Sequence, residues 1–287
     1  MRYEAPETVE SATALLAGAT GEARVLAGGT DLLVQMRSDI VDPALIVDIK
    51  RIAETRTITE DKGGGWRVGA AVTGAELKEH GRLKQVWPGV VEATNLIGST
   101  QVQGRATLGG NLCNGSPAAD SVPALIAAGA VATLAGPEGR RDLPVEDVML
   151  GPRKLALKKG EFVVSFLLPP RPPRSSDAYL RFIPRTEMDI AVVGAGVSLT
   201  VDGAGTITAA RVSLGAVAPR VLLVAEAAAA IVGSRLDRPA QDRLEAAARA
   251  ACNPIDDKRG TTEFRIQVAG VLARRAALIA LDRARTA

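Results

Sequence analysis

Cysteine and histidine are scarce in this chain of 287 residues, which contains two cysteines and one histidine. Two thiols, Cys113 and Cys252, are too few for a disulfide framework or a four-thiolate iron–sulfur cluster. The single histidine, His80, argues against a zinc site or a Ser-His-Asp triad. It lies in a polar segment where we expect a helix to end and its side chain to be exposed. The composition therefore points away from thiol, zinc and triad chemistry.

Aromatic residues, long apolar runs and an excess of one charge are also lacking. Aromatics make up 3% of the chain, so the core must consist of Ala, Val, Leu and Ile. The apolar run at 122–135 is interrupted by Pro123 and Gly129 and falls short of the roughly 20 residues that a membrane helix needs. The first six residues have no apolar signal core. With 35 basic and 32 acidic residues, the net charge of +3 is too weak to favour nucleic acid. We expect a cytoplasmic protein without nucleic-acid binding or strong membrane association.

The length and the proline distribution indicate more than one domain. A chain of 287 residues with 47% hydrophobic residues usually divides into two or three domains or subdomains. Four prolines between Pro169 and Pro173 predict a semi-rigid linker over 169–177. Beyond it, the pattern predicts strands at 178–182, 191–201 and 207–214, and then helices at 221–232, 238–251 and 262–284.

The first candidate site is a predicted strand that runs into two glycines and a helix. Residues 24–27 are expected to form the strand, Gly28 and Gly29 the turn, and 32–36 the helix, capped by Thr30 or Asp31. The free N–H groups and the dipole of a first helical turn attract anions. The segment is not the G-x-G-x-x-G fingerprint of dinucleotide-binding folds. Taken alone, it fits an ordinary glycine turn equally well.

The second candidate site is the polar, glycine-rich stretch at 107–123. Gly109 and Gly110 stand side by side, followed by small polar residues and one carboxylate, Asp120. Adjacent glycines let the backbone approach a bulky ligand closely. Asn111 and Asp120 can hydrogen-bond a polyhydroxylated ligand. We interpret the stretch as the floor of such a site, with two ordinary turns between strands as the alternative.

The two segments together resemble the FAD-binding medium subunit of the xanthine dehydrogenase / carbon monoxide dehydrogenase family of molybdenum hydroxylases. Their order and spacing match, as do the flanking segments at 153–161 and 185–191, and the resemblance covers essentially the whole chain. It implies an α+β fold with a vanillyl-alcohol-oxidase-like (PCMH-type) FAD-binding domain of two α+β subdomains, residues 1–55 and 56–170. A C-terminal antiparallel sheet with a helical bundle is expected over 176–287.

The resemblance also implies non-covalent FAD, extended between the two subdomains. The first segment would wrap the pyrophosphate, the second would line the pyrophosphate, ribityl and flavin side, and Asp120 would hydrogen-bond the cofactor. Ile97 stands where some members have an aromatic residue, Val163 at an apolar contact position, and Arg181 where some members have a lysine near the ring. The loop around Asp189 would guard the flavin face. The complete set of expected cofactor-binding residues is Val25, Leu26, Ala27, Gly28, Gly29, Thr30, Asp31, Leu32, Ile97, Thr107, Leu108, Gly109, Gly110, Asn111, Asp120, Val163 and Arg181.

The implied role is electron transfer, and no catalytic residue or metal ligand is expected on this chain. In this family a large subunit carries molybdopterin and selects the substrate, and a small subunit carries the 2Fe–2S clusters. We expect a dimer of such heterotrimers, in which the flavin takes electrons from the clusters and passes them to an external acceptor. Two alternatives stay open: a self-sufficient flavoenzyme of the same fold, and a cofactor-free assembly module whose glycine loops are turns.

Overall fold

Three β-sheets organise the chain, and each takes its strands from one continuous stretch of sequence. The computed structural model describes residues 1–287. The first sheet is parallel, with the order β1-β3-β2, and the second is antiparallel, with the order β4-β5-β10-β6-β7. The third is antiparallel, β11-β12-β13-β14, and β8 and β9 form a separate pair. The strands are β1 (Arg2–Glu4), β2 (Ala23–Leu26), β3 (Leu45–Asp48), β4 (Ile58–Glu60), β5 (Trp66–Gly69), β6 (Val131–Gly136), β7 (Gly139–Pro144), β8 (Met149–Gly151), β9 (Lys154–Leu155), β10 (Phe162–Leu168), β11 (Ser175–Phe182), β12 (Val193–Val201), β13 (Ile207–Gly215) and β14 (Leu222–Leu223).

The two longest helices, α11 and α12, follow the proline-rich segment. Several begin at a hydroxyl residue that caps the first turn, as Thr8 does by accepting from the Ser11 N–H at 3.1 Å. Thr73 with Glu76 three residues later is the sequence pattern that predicts a capping box, and the two residues form one at the start of α3. The helices are α1 (Val9–Ala17), α2 (Leu32–Arg37), α3 (Gly74–Glu79), α4 (Gly81–Val86), α5 (Pro88–Thr94), α6 (Thr100–Gln103), α7 (Leu108–Cys113), α8 (Ser121–Ala127), α9 (Val145–Val148), α10 (Ala225–Ala229), α11 (Arg238–Ala250) and α12 (Thr262–Thr286).

The protein has two hydrophobic cores, which meet at the C-terminal sheet. The first contains 40 buried residues, almost all of them before the proline-rich segment. The second contains 26 buried residues and lies between the C-terminal sheet and α12. Fully buried alanines, among them Ala273, Ala277 and Ala280, form the face of α12 that packs on β11 and β12. From the other side, α5 packs on β11 and α8 packs on β12 and β13, so the sheet lies between the two cores.

The predicted linker and one predicted helix are wrong in their extent. Strand β11 already begins at Ser175, and Ser176 and Asp177 are buried in it, so only 169–174 connects the two parts. The helix expected over 221–232 shrinks to α10. Leu222 and Leu223 form a strand instead, because the edge of β13 offers them a ladder partner that outweighs their helix propensity.

The expectation that His80 is exposed is also wrong. Its ring is half-buried and stands edge-on to Trp66, with 5.2 Å between the ring centroids. Its Nδ1 accepts a hydrogen bond from the Leu83 N–H at 3.2 Å, which caps α4. The histidine therefore has a structural role at a helix start.

The longest helices do not combine the length and the apolar character that crossing a bilayer would require.

Candidate functional site

Both glycine pairs line one cavity of about 390 Å³. One side of the cavity is formed by the end of β2, the turn after it and the start of α2. The other residues come mainly from α7 and the start of β10. The predicted site residues that line the cavity are Val25, Ala27, Gly28, Gly29, Thr30, Asp31, Leu32, Ile97, Thr107, Gly109, Gly110, Asn111 and Val163. Those outside its lining are Leu26, Leu108, Asp120 and Arg181. Two turns that are about eighty residues apart in sequence thus form one cleft.

Gly28 is the point where the first segment touches the stretch of chain that leads into the second. A Cβ atom at Gly28 would lie 2.0 Å from the Arg105 carbonyl oxygen, which no side chain could tolerate. Gly29 has a φ of +79°, in the left-handed region that glycine adopts without strain. Both glycines are therefore required by the backbone geometry, one for close approach and the other for its torsion angle.

The segment from Gly28 to Leu32 presents unused backbone donors to the cavity. None of its N–H groups donates to an acceptor within the chain. Asp31 occupies the cap position of α2 but makes no side-chain hydrogen bond to the helix, so the predicted capping by Thr30 or Asp31 is wrong. A run of unpaired N–H groups around a turn forms a concave site that favours an anion.

The second segment is fixed against the rest of its domain by its backbone. Thr107 caps α7, because its Oγ1 accepts from the Gly110 N–H at 3.0 Å. The Gly109 N–H donates to the Ala70 carbonyl oxygen at 3.1 Å. A Cβ atom at Gly109 would lie only 2.6 Å from that oxygen. The first turn of α7 therefore reaches the cavity with little side-chain bulk.

Two polar side chains of the second segment bind protein groups. The Asn114 Oδ1 accepts from the Gln35 Nε2 at 2.9 Å, which ties α2 to the end of α7. The Asn111 Oδ1 accepts from both the backbone N–H (3.0 Å) and the hydroxyl (2.7 Å) of Ser121, at the start of α8. The Asn114 carboxamide thus ties the two parts of the cleft together, the Asn111 carboxamide ties α7 to α8, and the Asn111 Nδ2 is left as a donor at the cavity.

Ionisable groups are few in the cavity. Its lining includes Arg24, Asp31, Cys113 and Arg153, with no histidine, lysine or tyrosine. Burial raises the pKa of the Cys113 thiol to about 12, so the thiol stays protonated at neutral pH. The lining contains a single carboxylate, so it offers no acid–base pair of the kind that proton-transfer catalysis uses.

Asp120 and Arg181 lie side by side behind the cavity wall. The Arg181 Nη1 donates to the Asp120 Oδ2 at 3.1 Å, and the Tyr179 hydroxyl donates to the Asp120 Oδ1 at 3.4 Å. Burial raises the pKa of Asp120 to about 6, although the Arg181 guanidinium opposes the shift. Burial also raises the pKa of Tyr179, and the Asp120 charge adds to that effect.

The loop around Asp189 lies next to the cavity wall. The Met188 N–H donates to the Gly98 carbonyl oxygen at 3.3 Å, and Gly98 follows the cavity residue Ile97. Arg185 and Arg259 both contact the Asp189 carboxylate. The hydrogen bond from Arg185 lowers the pKa of Asp189 to about 2. Asp189 therefore stays ionised through the neutral range and keeps its ion pairs with Arg185 and Arg259.

One part of the cavity lining was not predicted from the sequence. Leu155, Leu157 and Phe162 line the cavity beside the predicted Val163, and Arg153 lies at the same wall. Arg153 has a φ of +57°, and its backbone lies 2.8 Å from the position of a Cβ at Gly115. The available signal was the apolar alternation just before β10, which by itself resembles ordinary core.

Comparison with known proteins finds matches that together cover almost the whole chain. Residues 1–171 match the family described as FAD binding domain in molybdopterin dehydrogenase, and residues 178–280 match the CO dehydrogenase flavoprotein C-terminal domain. The chain is 34% identical to the carbon monoxide dehydrogenase medium chain of Afipia carboxidovorans, over 99% of this chain and 97% of that protein. It is 30% identical to the xanthine dehydrogenase FAD-binding subunit of Escherichia coli O157:H7, over 93% of this chain and 91% of that protein.

Solved structures agree with these sequence matches. A chain of reconstituted CO dehydrogenase from Oligotropha carboxidovorans superposes with a TM-score of 0.94 at 34% identity, covering 99% of this chain and 98% of that chain. A chain of quinoline 2-oxidoreductase from Pseudomonas putida 86 gives a TM-score of 0.90 at 27% identity, with the same coverage. The likeness therefore extends through both cores and across the joint between them.

Proposed function

Because this chain belongs to the family of FAD-binding medium subunits of the molybdenum hydroxylases, we propose that it binds one non-covalent FAD in the cleft between its two glycine segments. The observation that carries this proposal is the run of unpaired N–H groups from Gly28 to Leu32. It faces the same cavity as Gly109 and Gly110. Backbone donors without side-chain bulk suit a diphosphate.

The cleft residues fit FAD in both polarity and shape. Gly28 to Leu32 would hold the pyrophosphate through N–H groups, and Thr107 to Asn111 would line the pyrophosphate, ribityl and flavin side. Ile97 and Val163 supply apolar contacts for a ring system. We propose no direct contact with the cofactor for Leu26 and Leu108, since neither lines the cavity. Asp120 and Arg181 would act from behind the wall.

We further propose that the chain is the electron-transfer subunit of a larger complex. Electrons from the oxidised substrate would reach the bound flavin through two 2Fe–2S clusters on a small subunit and leave to an external acceptor. A large subunit would carry molybdopterin and select the substrate. The medium-chain relatives support this assignment, and so does the lack of an acid–base pair in the cavity. We propose a cytoplasmic dimer of heterotrimers as the assembly.

The fold supports a vanillyl-alcohol-oxidase-like (PCMH-type) arrangement of two FAD-binding subdomains. The parallel sheet falls within the proposed subdomain 1–55, and the five-stranded sheet falls within 56–170. The third sheet and the helices α10 to α12 form the proposed C-terminal domain, 176–287. The cleft lies where the first two of these units meet.

The test is to co-express the chain with its partner subunits and to quantify the FAD that acid releases from the purified complex. One FAD per chain is expected, with the visible absorption of oxidised flavin. The variant Gly109→Val should lose FAD, because its Cβ would clash with the Ala70 carbonyl oxygen. The matched control is Gly81→Ala at the start of α4, where a Cβ would meet nothing within 4 Å.

A folded native complex without flavin would refute the assignment and favour the cofactor-free assembly module. Equal FAD content in Gly109→Val and Gly81→Ala would refute the placement of FAD in this cleft.

A further inference from the structure

Arg181 is the one arginine of the C-terminal sheet whose contacts lead to the cofactor cleft. It lies on β11, and its side chain is 4% exposed. Its Nη1 donates to the Leu96 carbonyl oxygen at 2.6 Å and to the Asp120 Oδ2 at 3.1 Å. Both acceptors belong to the other core, so a single buried cation joins the two halves of the chain at this point.

Two glycines on β12 leave space on the face of the sheet where Arg181 makes these contacts. Tyr179 lies two residues before Arg181 on the same face of β11. Opposite them on β12 are Gly196 and Gly194. A Cβ at Gly194 would lie 2.6 Å from the Tyr179 hydroxyl, and one at Gly196 would lie 2.6 Å from the Pro123 carbonyl oxygen. The glycines thus leave room for Tyr179 and for α8 to press against the sheet.

Each acceptor of Arg181 is one step from the cavity. Leu96 precedes Ile97, which lines the cavity. Asp120 precedes Ser121, whose backbone N–H and hydroxyl donate to the Asn111 Oδ1, and Asn111 also lines the cavity. Arg181 and Asp120 themselves do not line the cavity. Their contact therefore links the chain beside Ile97 to the chain that holds Asn111, from outside the cavity lining.

We propose that Arg181 is a positioning residue through which the C-terminal domain sets the width of the cofactor cleft, by holding the backbone at Leu96 and the carboxylate of Asp120 together. This inference rests on the proposed function for the identity of the ligand. A buried guanidinium that loses the Asp120 carboxylate keeps an uncompensated charge, and one that loses the Leu96 carbonyl keeps an unpaired donor, so both contacts are costly to break. The C-terminal domain thereby acts on the cofactor without contributing to the cavity lining.

Arg211 on β13 provides a matched control within the same sheet. Its Nε donates to the Ile126 carbonyl oxygen at 3.0 Å, and its Nη2 donates to the Glu146 Oε1 at 2.7 Å. It therefore joins the same two halves of the chain through one carbonyl and one carboxylate. Neither Ile126 nor Glu146 lines the cavity. Losing this contact should weaken the packing between the two halves of the chain and leave the cleft unchanged.

The experiment compares Arg181→Met and Arg211→Met in the assembled complex. The FAD dissociation rate and the hydrogen exchange of the 96–98 backbone are measured in each. For Arg181→Met we expect FAD to dissociate roughly tenfold faster or more, the effect of losing about one charge-assisted hydrogen bond. Hydrogen exchange of the 96–98 backbone should rise in parallel.

The control variant Arg211→Met should match the native protein in both measurements. If Arg181→Met does not fold, Arg181→Lys, which can serve one acceptor at a time, should give a smaller change in the same direction.

Equal dissociation rates for Arg181→Met, Arg211→Met and the native complex would overturn the proposal. So would faster dissociation without a change in exchange at 96–98, which would indicate a direct role of Arg181 at the ligand. If the native complex carries no FAD, the proposed function fails. The exchange comparison then still decides whether Arg181 holds the 96–98 wall.

Discussion

At the scale of single residues, the fold is most sensitive where backbone meets backbone, and Gly28 is the sharpest case. The mutation Gly28→Ala places a Cβ atom 2.0 Å from the Arg105 carbonyl oxygen, a rigid group that cannot rotate away. We expect the loss of about 1–3 kcal/mol in the free energy of unfolding, as for overpacked sites. FAD content should also fall, even under conditions where the variant stays folded, because the clash pushes the two sides of the cleft apart. Urea unfolding and released FAD measure the two effects.

Gly151→Ala is the control for this mutation. Gly151 lies in β8, has no positive φ, and a Cβ there would meet nothing within 4 Å. It should keep native FAD content. If Gly28→Ala also keeps native FAD content, the contact between the two segments is not needed for binding.

The second prediction at this scale concerns the carboxyl of Asp120. Burial raises its folded-state pKa to about 6, above the value of about 3.9 in an unfolded chain. The folded protein therefore binds more protons between about pH 4 and pH 6, so this group's contribution to stability falls as the pH rises through that window. The full change is about 2–3 kcal/mol.

The measurement is the difference in unfolding free energy between the native chain and Asp120→Asn, taken at pH 4.5 and pH 7. Because the asparagine does not titrate, the native chain should lose stability relative to the variant on going to pH 7. A difference that does not change with pH would show that Asp120 keeps an ordinary pKa in the folded protein.

At the scale of elements, α2 is the most weakly held part of the cleft. None of its residues is buried, and Leu33 and Val34 are exposed. Its link to α7 is the hydrogen bond from Gln35 to Asn114 at 2.9 Å. A helix with so few buried contacts opens at a low free-energy cost. We therefore expect the departure of FAD to require movement of α2.

Gln35→Ala should accordingly speed FAD dissociation by roughly three- to tenfold, the effect of one neutral hydrogen bond. Backbone exchange over α2 should rise as well. Gln101→Ala, on the exposed side of α6, is the control and should leave both unchanged. An unchanged dissociation rate in Gln35→Ala would mean that FAD leaves by another route.

The sequence predicts elements well where local chemistry decides them. The capping box at Thr73 and the glycine turn after β2 follow from residue type and spacing, and both are present. The prediction of where an element begins or ends fails where a partner distant in sequence decides it. Leu222 becomes a strand only because β13 lies beside it, and Ser175 joins β11 only because β12 pairs with it. Local propensity contains no information about either partner.

At the scale of the whole molecule, the two glycine segments were predictable as a site, but the way the domains support it was not. The pairing of Asp120 with Arg181 spans 61 residues and crosses between the two cores. Each residue alone looks like a ligand candidate, because a carboxylate and a guanidinium both suit a polar cofactor. Only the packing of α8 on the C-terminal sheet shows that they bind each other. Long-range charge pairs of this kind follow from topology, which one sequence does not display.

The last prediction separates an electron-transfer subunit from a self-sufficient flavoenzyme. The isolated, FAD-loaded chain should not oxidise alcohols or other small substrates, because its cavity offers one carboxylate, Asp31, and a protonated thiol, Cys113. Chemical reductants should bleach its flavin, since that requires no proton-transfer residue. In the assembled complex, the flavin should bleach on addition of the substrate that the large subunit selects.

Stopped-flow absorption measures flavin bleaching in the isolated chain and in the assembled complex, and a complex that lacks only the small subunit is the control. Substrate-driven bleaching in the isolated chain would assign the chemistry to this subunit, and bleaching in the control complex would show that electrons reach the flavin without the small subunit's clusters.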